Sequence, residues 1–294
     1  MVALVLLVPA AAGLARRSPP SGPPAIAGAT WHPTGRPVAG AAPLITTTFV
    51  PNRSDPFTLA YIVWIDHTRT AIGLYPGLRE PPTASPRGPS QVPYGQRWRV
   101  LAAFNSGFKY AYSYSQHGFS VDGHTYVWLK PGLGTLVGYR DGRVDIVRWR
   151  GGPTPPLTVA FARQNLPLLV DRGRPVAGID NGPAWGATLG HVPNVWRTGV
   201  GVDRNGNLLY AAAGNQTAAS FATVLIRAGA VRAIELDINP EWPTFNLYAH
   251  RGGIRPTMFV PNVQQNAWRY LRPDERDFFT VYRRTGGAVS VPFR

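Results

Sequence analysis

The chain has 294 residues, enough for one large domain or two modest ones, and carries 30 basic against 15 acidic residues, a formal net charge of +15. The arginines are scattered along the whole chain and form no dense basic helix or tail, which argues against a nucleic-acid partner. The excess charge favours an anionic envelope polymer, or reflects the arginine bias of a high-GC genome. The lack of cysteine excludes disulfides, thiolate zinc sites and a cysteine nucleophile.

The N-terminal segment is typical of an exported protein. Residues 1–15 form an apolar run that is short for a membrane span and ends in small residues before two arginines, as in a signal peptide or membrane anchor. A buried N-terminal strand is the alternative. Residues 16–44 are rich in Pro, Gly and Ala and are predicted to be a linker. We therefore expect a secreted or membrane-anchored, extracytoplasmic protein whose folded domain spans 45–294.

The pattern of this domain predicts a strand-rich α+β fold, with a mixed or antiparallel sheet and a few packed helices. Asp-Gly dipeptides predict two hairpins, one pairing 119–121 with 124–129 and the other pairing 136–139 with 144–149. His117, Asp122 and His124 could suggest a metal site, but the aspartate is needed for the turn. No metal and no cofactor are expected.

A helix followed by a strand organises the C-terminal half. Apolar residues at helical spacing predict a helix from a Thr217 or Ser220 cap to Ala228, which Gly229 ends. The apolar, β-branched run 231–237 then predicts a buried strand. Side chains alternate along a strand, so Glu235 and Asp237 are expected to share one face at its end.

A second strand carries a second group of candidate residues. Alternation along 196–203 predicts a core face of Thr198, Val200 and Val202, with the remaining positions on the opposite face. Those positions are Arg197, Gly199, Gly201 and Asp203. Two glycines between an arginine and an aspartate leave a smooth surface on which a substrate could lie. A twisted strand packed against another backbone explains the same residues equally well.

Two further segments complete the sequence pattern. An apolar strand over 97–104 ends in a polar turn at Asn105, Ser106 and Gly107, which an ordinary β-turn would also explain. Near the C-terminus, 269–284 has an amphipathic pattern whose aromatic residues are spaced to dock on the rest of the domain. That segment is predicted to have a structural role.

Four motifs of the sequence, in their order along the chain, resemble the phosphodiester glycosidase family. They are the segments 104–108, 166–173, 197–206 and 233–237, so the resemblance spans 104–237 and extends in weaker form over 45–284. The resemblance implies a hydrolase that cleaves a sugar from a phosphodiester. Because a phosphate monoester leaves easily, the main demands are to hold the phosphate and to stabilise an oxocarbenium-like transition state.

The resemblance also implies roles for particular residues. Arg197 is the expected phosphate ligand and Asp237 the expected carboxylate on the sugar side, with Glu235 or Asp203 as a second carboxylate. Arg197 and Asp203 could instead pair within the fold. The expected substrate-binding residues are Asn105, Ser106, Gly107, Gly199, Gly201, Asp203 and Asn239.

The chain departs from the family pattern at two places, which leaves two hypotheses. Ser106 stands where the family usually has glycine, and Ile238-Asn239-Pro240-Glu241-Trp242 replaces a run of glycines and small hydroxyl residues. The first hypothesis is an exported phosphodiester glycosidase acting on a phosphate-linked envelope or extracellular glycan. The second is a non-catalytic polysaccharide-binding module on the same fold, in which the bulky turn has abolished activity.

Overall fold

The computed structural model describes residues 22–82, 87–110, 117–186 and 192–285. The predicted signal or anchor at 1–15 lies outside these residues. The strands are, in chain order, β1 (His32–Thr34), β2 (Leu44–Phe49), β3 (Ala60–Ile65), β4 (Thr70–Tyr75), β5 (Val100–Asn105), β6 (Phe119–Val121), β7 (His124–Val127), β8 (Gly134–Tyr139), β9 (Val144–Arg148), β10 (Val159–Gln164), β11 (Val170–Asp171), β12 (Arg174–Pro175), β13 (Val195–Val202), β14 (Leu208–Gln216), β15 (Arg232–Glu235), β16 (Phe245–His250), β17 (Ile254–Met258) and β18 (Phe278–Arg283).

These strands form three antiparallel sheets. The largest has the order β1-β2-β3-β14-β13-β15-β11-β12, the second β7-β6-β10-β8-β9 and the third β17-β16-β5-β18-β4. Helix α1 (Ala218–Arg227) is the one α-helix in the described part of the chain, which also holds short 3-10 turns at Tyr94–Arg99, Gly182–Trp185 and Arg269–Leu271. The predicted strand-rich domain is confirmed, whereas "α+β with a few packed helices" describes this mostly β fold only loosely.

The large sheet has a hydrophobic core on each face. On one face Val200, Val202 and Ile234 join a central core to which all three sheets contribute. On the other face Ala233 packs with α1, through helix residues such as Phe221 and Leu225. Strand β15 is therefore covered on both sides, which is why its sequence is nearly continuous in apolar residues up to the carboxylates.

The local signals for α1 and the hairpins are confirmed. Thr217 is the N-cap, since its hydroxyl accepts a 3.1 Å hydrogen bond from the Ser220 amide, and Gly229 follows the helix at φ +104°. Strand β6 pairs with β7, and β8 with β9, in the predicted hairpins. The aromatic residues of the C-terminal segment are buried as predicted, but Phe278–Arg283 is the strand β18 between β4 and β5.

Part of the predicted linker belongs to the folded domain. Within residues 22–44, His32–Thr34 forms β1 at the edge of the large sheet, and Ile26 is only 6% exposed in the core beside α1. The Pro- and Gly-rich composition indicated the lack of regular structure, but composition does not report packing against a distant surface. The domain therefore begins before residue 45.

Candidate functional site

Strand ends from all three sheets meet around Asp237, just beyond β15. Strand β5 ends at Asn105 and β10 at Gln164, and the segment before β18 carries Arg276 and Asp277. A backbone hydrogen bond joins two of these ends: the Asp237 amide donates to the Ser106 carbonyl at 3.1 Å. In addition, Asn165 Nδ2 donates to the Glu235 carbonyl at 2.8 Å. The carboxylates thus lie where the sheets converge.

The Asp237 carboxylate is held on both oxygens. Oδ2 accepts a 2.7 Å hydrogen bond from Arg276 Nη2, and Oδ1 accepts a 2.9 Å bond from the Asn239 amide. Its own carbonyl accepts a 2.6 Å bond from the Thr198 hydroxyl. Asp237 is 4% exposed, so this carboxylate is a rigid, nearly buried anion paired with one arginine.

Arg276 is the central cation of the site, although the sequence did not single it out. Its Nη2 also donates to the Gly107 carbonyl at 2.9 Å, and its Nε lies 3.7 Å from Oε2 of Glu80. Within the described residues, Nε and Nη1 have no hydrogen-bond partner, although the Arg276 side chain is only 4% exposed. The Ser106 hydroxyl, also buried, lacks such a partner too. Buried donors without acceptors are costly and are concentrated at functional sites.

Glu235 pairs with Arg197, the arginine that was predicted to bind the phosphate. Arg197 Nη1 donates to Glu235 Oε1, and its remaining contacts are to the carbonyls of Gln216 at 2.9 Å and Trp185 at 3.2 Å. Arg197 is thus bonded to the protein and orients Glu235. Burial raises the pKa of Glu235 to about 7, an effect that Arg197 opposes and the nearby Asp237 charge reinforces. The second carboxylate oxygen, Oε2, has no hydrogen bond in the described part of the chain.

Asn105 has a structural place between β5 and β13. Its Nδ2 donates to the Thr198 hydroxyl at 2.9 Å, and its Oδ1 accepts from the Tyr210 hydroxyl at 2.9 Å and from the Thr244 amide at 3.2 Å. Since the Thr198 hydroxyl in turn donates to the Asp237 backbone carbonyl, the Asn105 side chain supports the backbone that carries the carboxylate. Its hydrogen-bonding capacity is largely filled by the protein, which leaves little for a sugar.

The two glycines of β13 do not lie under an open surface. A Cβ on Gly199 would lie 2.7 Å from the Ile234 carbonyl oxygen and 2.9 Å from the Phe221 ring of α1. A Cβ on Gly201 would lie 2.7 Å from that of Ala230. Close packing against the helix and β15 explains both glycines, so the predicted substrate surface is replaced by a packed interface.

Asp203 lies at the other end of β13 from Arg197 and away from Asp237. Its carboxylate accepts hydrogen bonds from the amides of Asn205 and Asn207 at 2.8 and 2.9 Å and from the Trp64 indole at 3.1 Å. It stabilises the turn between β13 and β14. The structure does not bring it to the other carboxylates, and the predicted alternative of an Arg197–Asp203 pair is replaced by Arg197–Glu235.

The turn that departs from the family pattern places an indole ring beside the ion pair. Trp242 lies 4.9 Å from the Arg276 guanidinium and also faces Arg269 at 5.2 Å. The turn is fixed because Asn262 Nδ2 donates to three of its carbonyls, those of Pro240, Glu241 and Pro243. A tryptophan therefore fills space on one side of Arg276.

Several site residues were missed by sequence reasoning. Arg163 pairs with Asp277 at 2.7 Å and Arg269 with Asp274 at 2.7 Å, and both pairs are buried beside Arg276. The signal was the charged run 272–277 directly before an apolar strand, which is the same arrangement as in β15. The aromatic residues of this segment, spaced to dock on the domain, had instead favoured a structural role.

Among the described residues, no group of three or more His, Asp or Glu side chains could hold a metal ion. His124 begins β7 in the β6–β7 hairpin, and His117 lies just before that hairpin. Burial lowers the pKa of His117 to about 3. None of the described helices is long and apolar enough to cross a membrane.

Comparison with solved structures identifies the fold. The catalytic domain of zebrafish N-acetylglucosamine-1-phosphodiester alpha-N-acetylglucosaminidase, auto-inhibited by its pro-peptide, superposes with a TM-score of 0.53 and 14% identity. The match covers 87% of this chain and 88% of that chain. The chain shares the fold of this glycosidase domain. A hypothetical protein from Synechocystis matches with a TM-score of 0.45 and 14% identity, over 84% of this chain and 63% of that chain. No protein-family model and no curated protein matches the sequence.

Within this fold, the sequence-predicted residues fall into three groups. Asp237, Glu235, Ser106, Gly107 and Asn239 lie together with Arg276 where the sheets converge. Asn105 and Arg197 lie next to that group and support it through hydrogen bonds. Gly199, Gly201 and Asp203 serve packing and a turn.

Proposed function

We propose that the protein is an exported hydrolase that cleaves a sugar–phosphodiester linkage in an envelope or extracellular glycan. The observation that supports this most is Arg276, which pairs with Asp237 through Nη2 while its Nε and Nη1 have no hydrogen bond among the described residues. These two N–H donors point to different edges of the planar guanidinium, and each suits one phosphate oxygen. A carboxylate beside such a donor pair places negative charge next to the sugar that the phosphate carries.

The chemistry assigns different tasks to the two carboxylates. Asp237, fixed by Arg276 and the Asn239 amide, stabilises positive charge on the anomeric carbon, either directly or by orienting water. The glycosidic bond breaks with its electrons going to the phosphate oxygen, and water supplies the hydroxyl of the released sugar. Glu235, whose pKa burial raises to about 7, is suited to exchange the proton that this water loses.

In this proposal Arg276 replaces Arg197 as the phosphate ligand. Arg197 donates to Glu235 and to two backbone carbonyls, and its contact orients Glu235. Ser106, whose hydroxyl has no hydrogen bond among the described residues, and Gly107 complete the binding side of the site. The proposed export depends on the apolar run at 1–15. The proposed partner, a phosphate-linked glycan, is consistent with the basic net charge.

A second candidate function is a non-catalytic module that binds anionic envelope polysaccharide. It is favoured by Trp242, whose ring lies 4.9 Å from Arg276 and occupies one side of the ion pair. An indole beside a cation provides a surface for stacking a sugar while limiting the space for water. The two candidate functions share the same class of ligand and differ in whether the protein hydrolyses it.

The decisive experiment is hydrolysis of a panel of sugar-1-phosphodiesters by the wild type and by Asp237→Asn and Arg276→Lys. Each variant has a matched control with an exposed side chain in the same region, Glu241→Gln and Arg272→Lys respectively. We expect kcat to fall about 10²–10³-fold in the site variants and to stay within about twofold in the controls. A folded wild type that binds anionic glycan without hydrolysing any substrate would favour the binding module.

A further inference from the structure

A second polar cleft lies at the other end of β15 from Asp237. It has a volume of about 330 Å³ and lies between β9, the β11–β12 turn and the start of β15. We call it the basic cleft, because Arg148, Arg150, Arg172 and Arg232 line it. Arg232 and Glu235 are three positions apart on β15, so the cleft and the carboxylates are separated by about 10 Å of strand.

Three of these arginines have no partner in the described part of the chain. Arg232 donates to the Ile146 carbonyl at 2.7 Å and to the carboxylate of Asp145, so the protein uses it. The side chains of Arg148, Arg150 and Arg172 are exposed and make no hydrogen bond or ion pair with any described residue. Four arginines against two carboxylates, Asp145 and Asp171, therefore leave an excess of positive charge around one concave surface.

The conformation of Arg172 gives an independent reason to expect a ligand here. Arg172 and Gly173 form the two-residue turn between β11 and β12 with φ values of +49° and +73°. The first position of such a turn favours Asn, Asp or Gly, and an arginine there has an energetic cost. Unfavourable backbone conformations are retained mainly where the side chain has a task, and this one directs a guanidinium to the cleft.

The remaining lining indicates the class of ligand. Asp171 also lines the cleft, and its carboxylate has no partner among the described residues, while the buried side chain of Leu168 provides an apolar contact. Guanidinium groups bind phosphate, whereas a carboxylate accepts hydrogen bonds from hydroxyls and repels closely spaced phosphates. None of the described residues that line the cleft is aromatic, so none of them stacks a nucleobase. The combination fits a sugar phosphate better than a nucleic acid.

We propose that the basic cleft binds a phosphorylated sugar unit of an anionic glycan and holds the polymer at a distance from Asp237. This inference rests on the proposed function, which supplies the identity of the polymer. It gives the polymer a second point of attachment on the protein. Because attachment raises the local concentration of the linked unit, the cleft matters for long substrates and not for single units.

The test uses the full chain with Arg148, Arg150 and Arg172 all changed to glutamine. The matched control changes Arg204, Arg251 and Arg272, which are exposed and lie elsewhere, so both variants remove three charges from the formal +15. The probe is a labelled oligosaccharide with several sugar-1-phosphodiester repeats, and its binding is followed by fluorescence anisotropy. We expect a loss of affinity of about tenfold in the cleft variant and less than about twofold in the control, since each exposed charge pair contributes modestly.

A kinetic measurement separates the cleft from the carboxylate site. The cleft variant should lose kcat/KM for the repeat oligosaccharide by the same factor and keep the wild-type rate on a single sugar-1-phosphodiester. If the wild type hydrolyses neither substrate, the proposed function fails while the binding comparison still tests the cleft. If the triple variant does not fold, Arg150→Gln alone, compared with Arg272→Gln, is expected to show a smaller loss in the same direction.

Three outcomes would overturn the proposal. Equal losses in the cleft and control variants would mean that affinity follows net charge alone. Unchanged affinity in the cleft variant would remove the cleft as a binding site. Tighter, cleft-dependent binding of a single-stranded DNA of matched charge would show that the ligand is a nucleic acid.

Discussion

Arg276 donates a 2.7 Å hydrogen bond from Nη2 to Oδ2 of Asp237, although the two residues are 39 positions apart in the sequence. Both side chains are nearly buried, at 4% and 6% exposure. Five such buried arginine–carboxylate pairs occur in the described residues, and four of them involve the segment 269–277. Buried ion pairs are weak evidence for stability, so this concentration points to a site.

The first prediction concerns the stability of this pair. Removing one partner leaves the other charge buried, so Asp237→Ala is expected to lower the free energy of unfolding by about 3–5 kcal/mol. The double variant Asp237→Ala/Arg276→Met should lose less than the sum of the single variants. Urea unfolding measures all three. Glu275→Ala, which removes an exposed carboxylate beside Arg276, should cost at most about 1 kcal/mol. Additive losses would mean that the two side chains are not energetically coupled.

The second prediction concerns Glu235 and pH. Since burial raises its pKa from 4.5 to about 7, the folded protein keeps a proton on Glu235 in a pH range where the unfolded chain has lost it. The stability of the wild type relative to Glu235→Gln is therefore expected to fall as pH rises from about 4.5 to 7, and to level off above that range. Unfolding midpoints measured at intervals across this window test the sign. Parallel curves for the two proteins would contradict it.

A third prediction follows from the packing of β13 on α1. Gly199→Ala would place a Cβ 2.7 Å from the Ile234 carbonyl oxygen, and neither the sheet nor the helix can move without breaking other contacts. We expect a loss of about 1–3 kcal/mol in thermal or urea unfolding. Gly152→Ala, where a Cβ meets nothing within 4 Å, should stay within about 0.5 kcal/mol of the wild type. A neutral Gly199→Ala would reopen the alternative of a substrate surface at this strand.

A fourth prediction distinguishes support from sugar binding at Asn105. Asn105→Ala leaves the Tyr210 hydroxyl and the Thr244 amide without their buried acceptor, which should cost about 2 kcal/mol or more. The control is the exposed Asn194, whose side chain bonds Asn215 at 3.2 Å and no other described residue. Asn194→Ala should be within about 0.5 kcal/mol of the wild type. Full stability of Asn105→Ala with weakened glycan binding would restore the direct role that the sequence suggested.

The local patterns of the sequence determined much of the secondary structure. The hairpins β6–β7 and β8–β9, the Thr217 cap and the alternation along β13 follow from turn residues and periodicity, which act over a few positions. The same short-range signals placed Glu235 and Asp237 at the end of a buried strand. The order of motifs, together with these elements, was sufficient for a family resemblance whose fold the structural comparison supports.

Only the tertiary structure decided which charges meet. Arg276 reaches Asp237 because β18 inserts between β4 and β5 and brings its preceding segment to the end of β15, and no local pattern encodes that order of strands. Arg197 bonds Glu235, although the sequence allowed other partners for this arginine. Gly199 and Gly201 pack closely against α1 and its neighbours, and this packing is not evident from the sequence. Periodicity and turn chemistry are local and readable in the sequence, whereas the pairing of buried charges depends on contacts between distant segments.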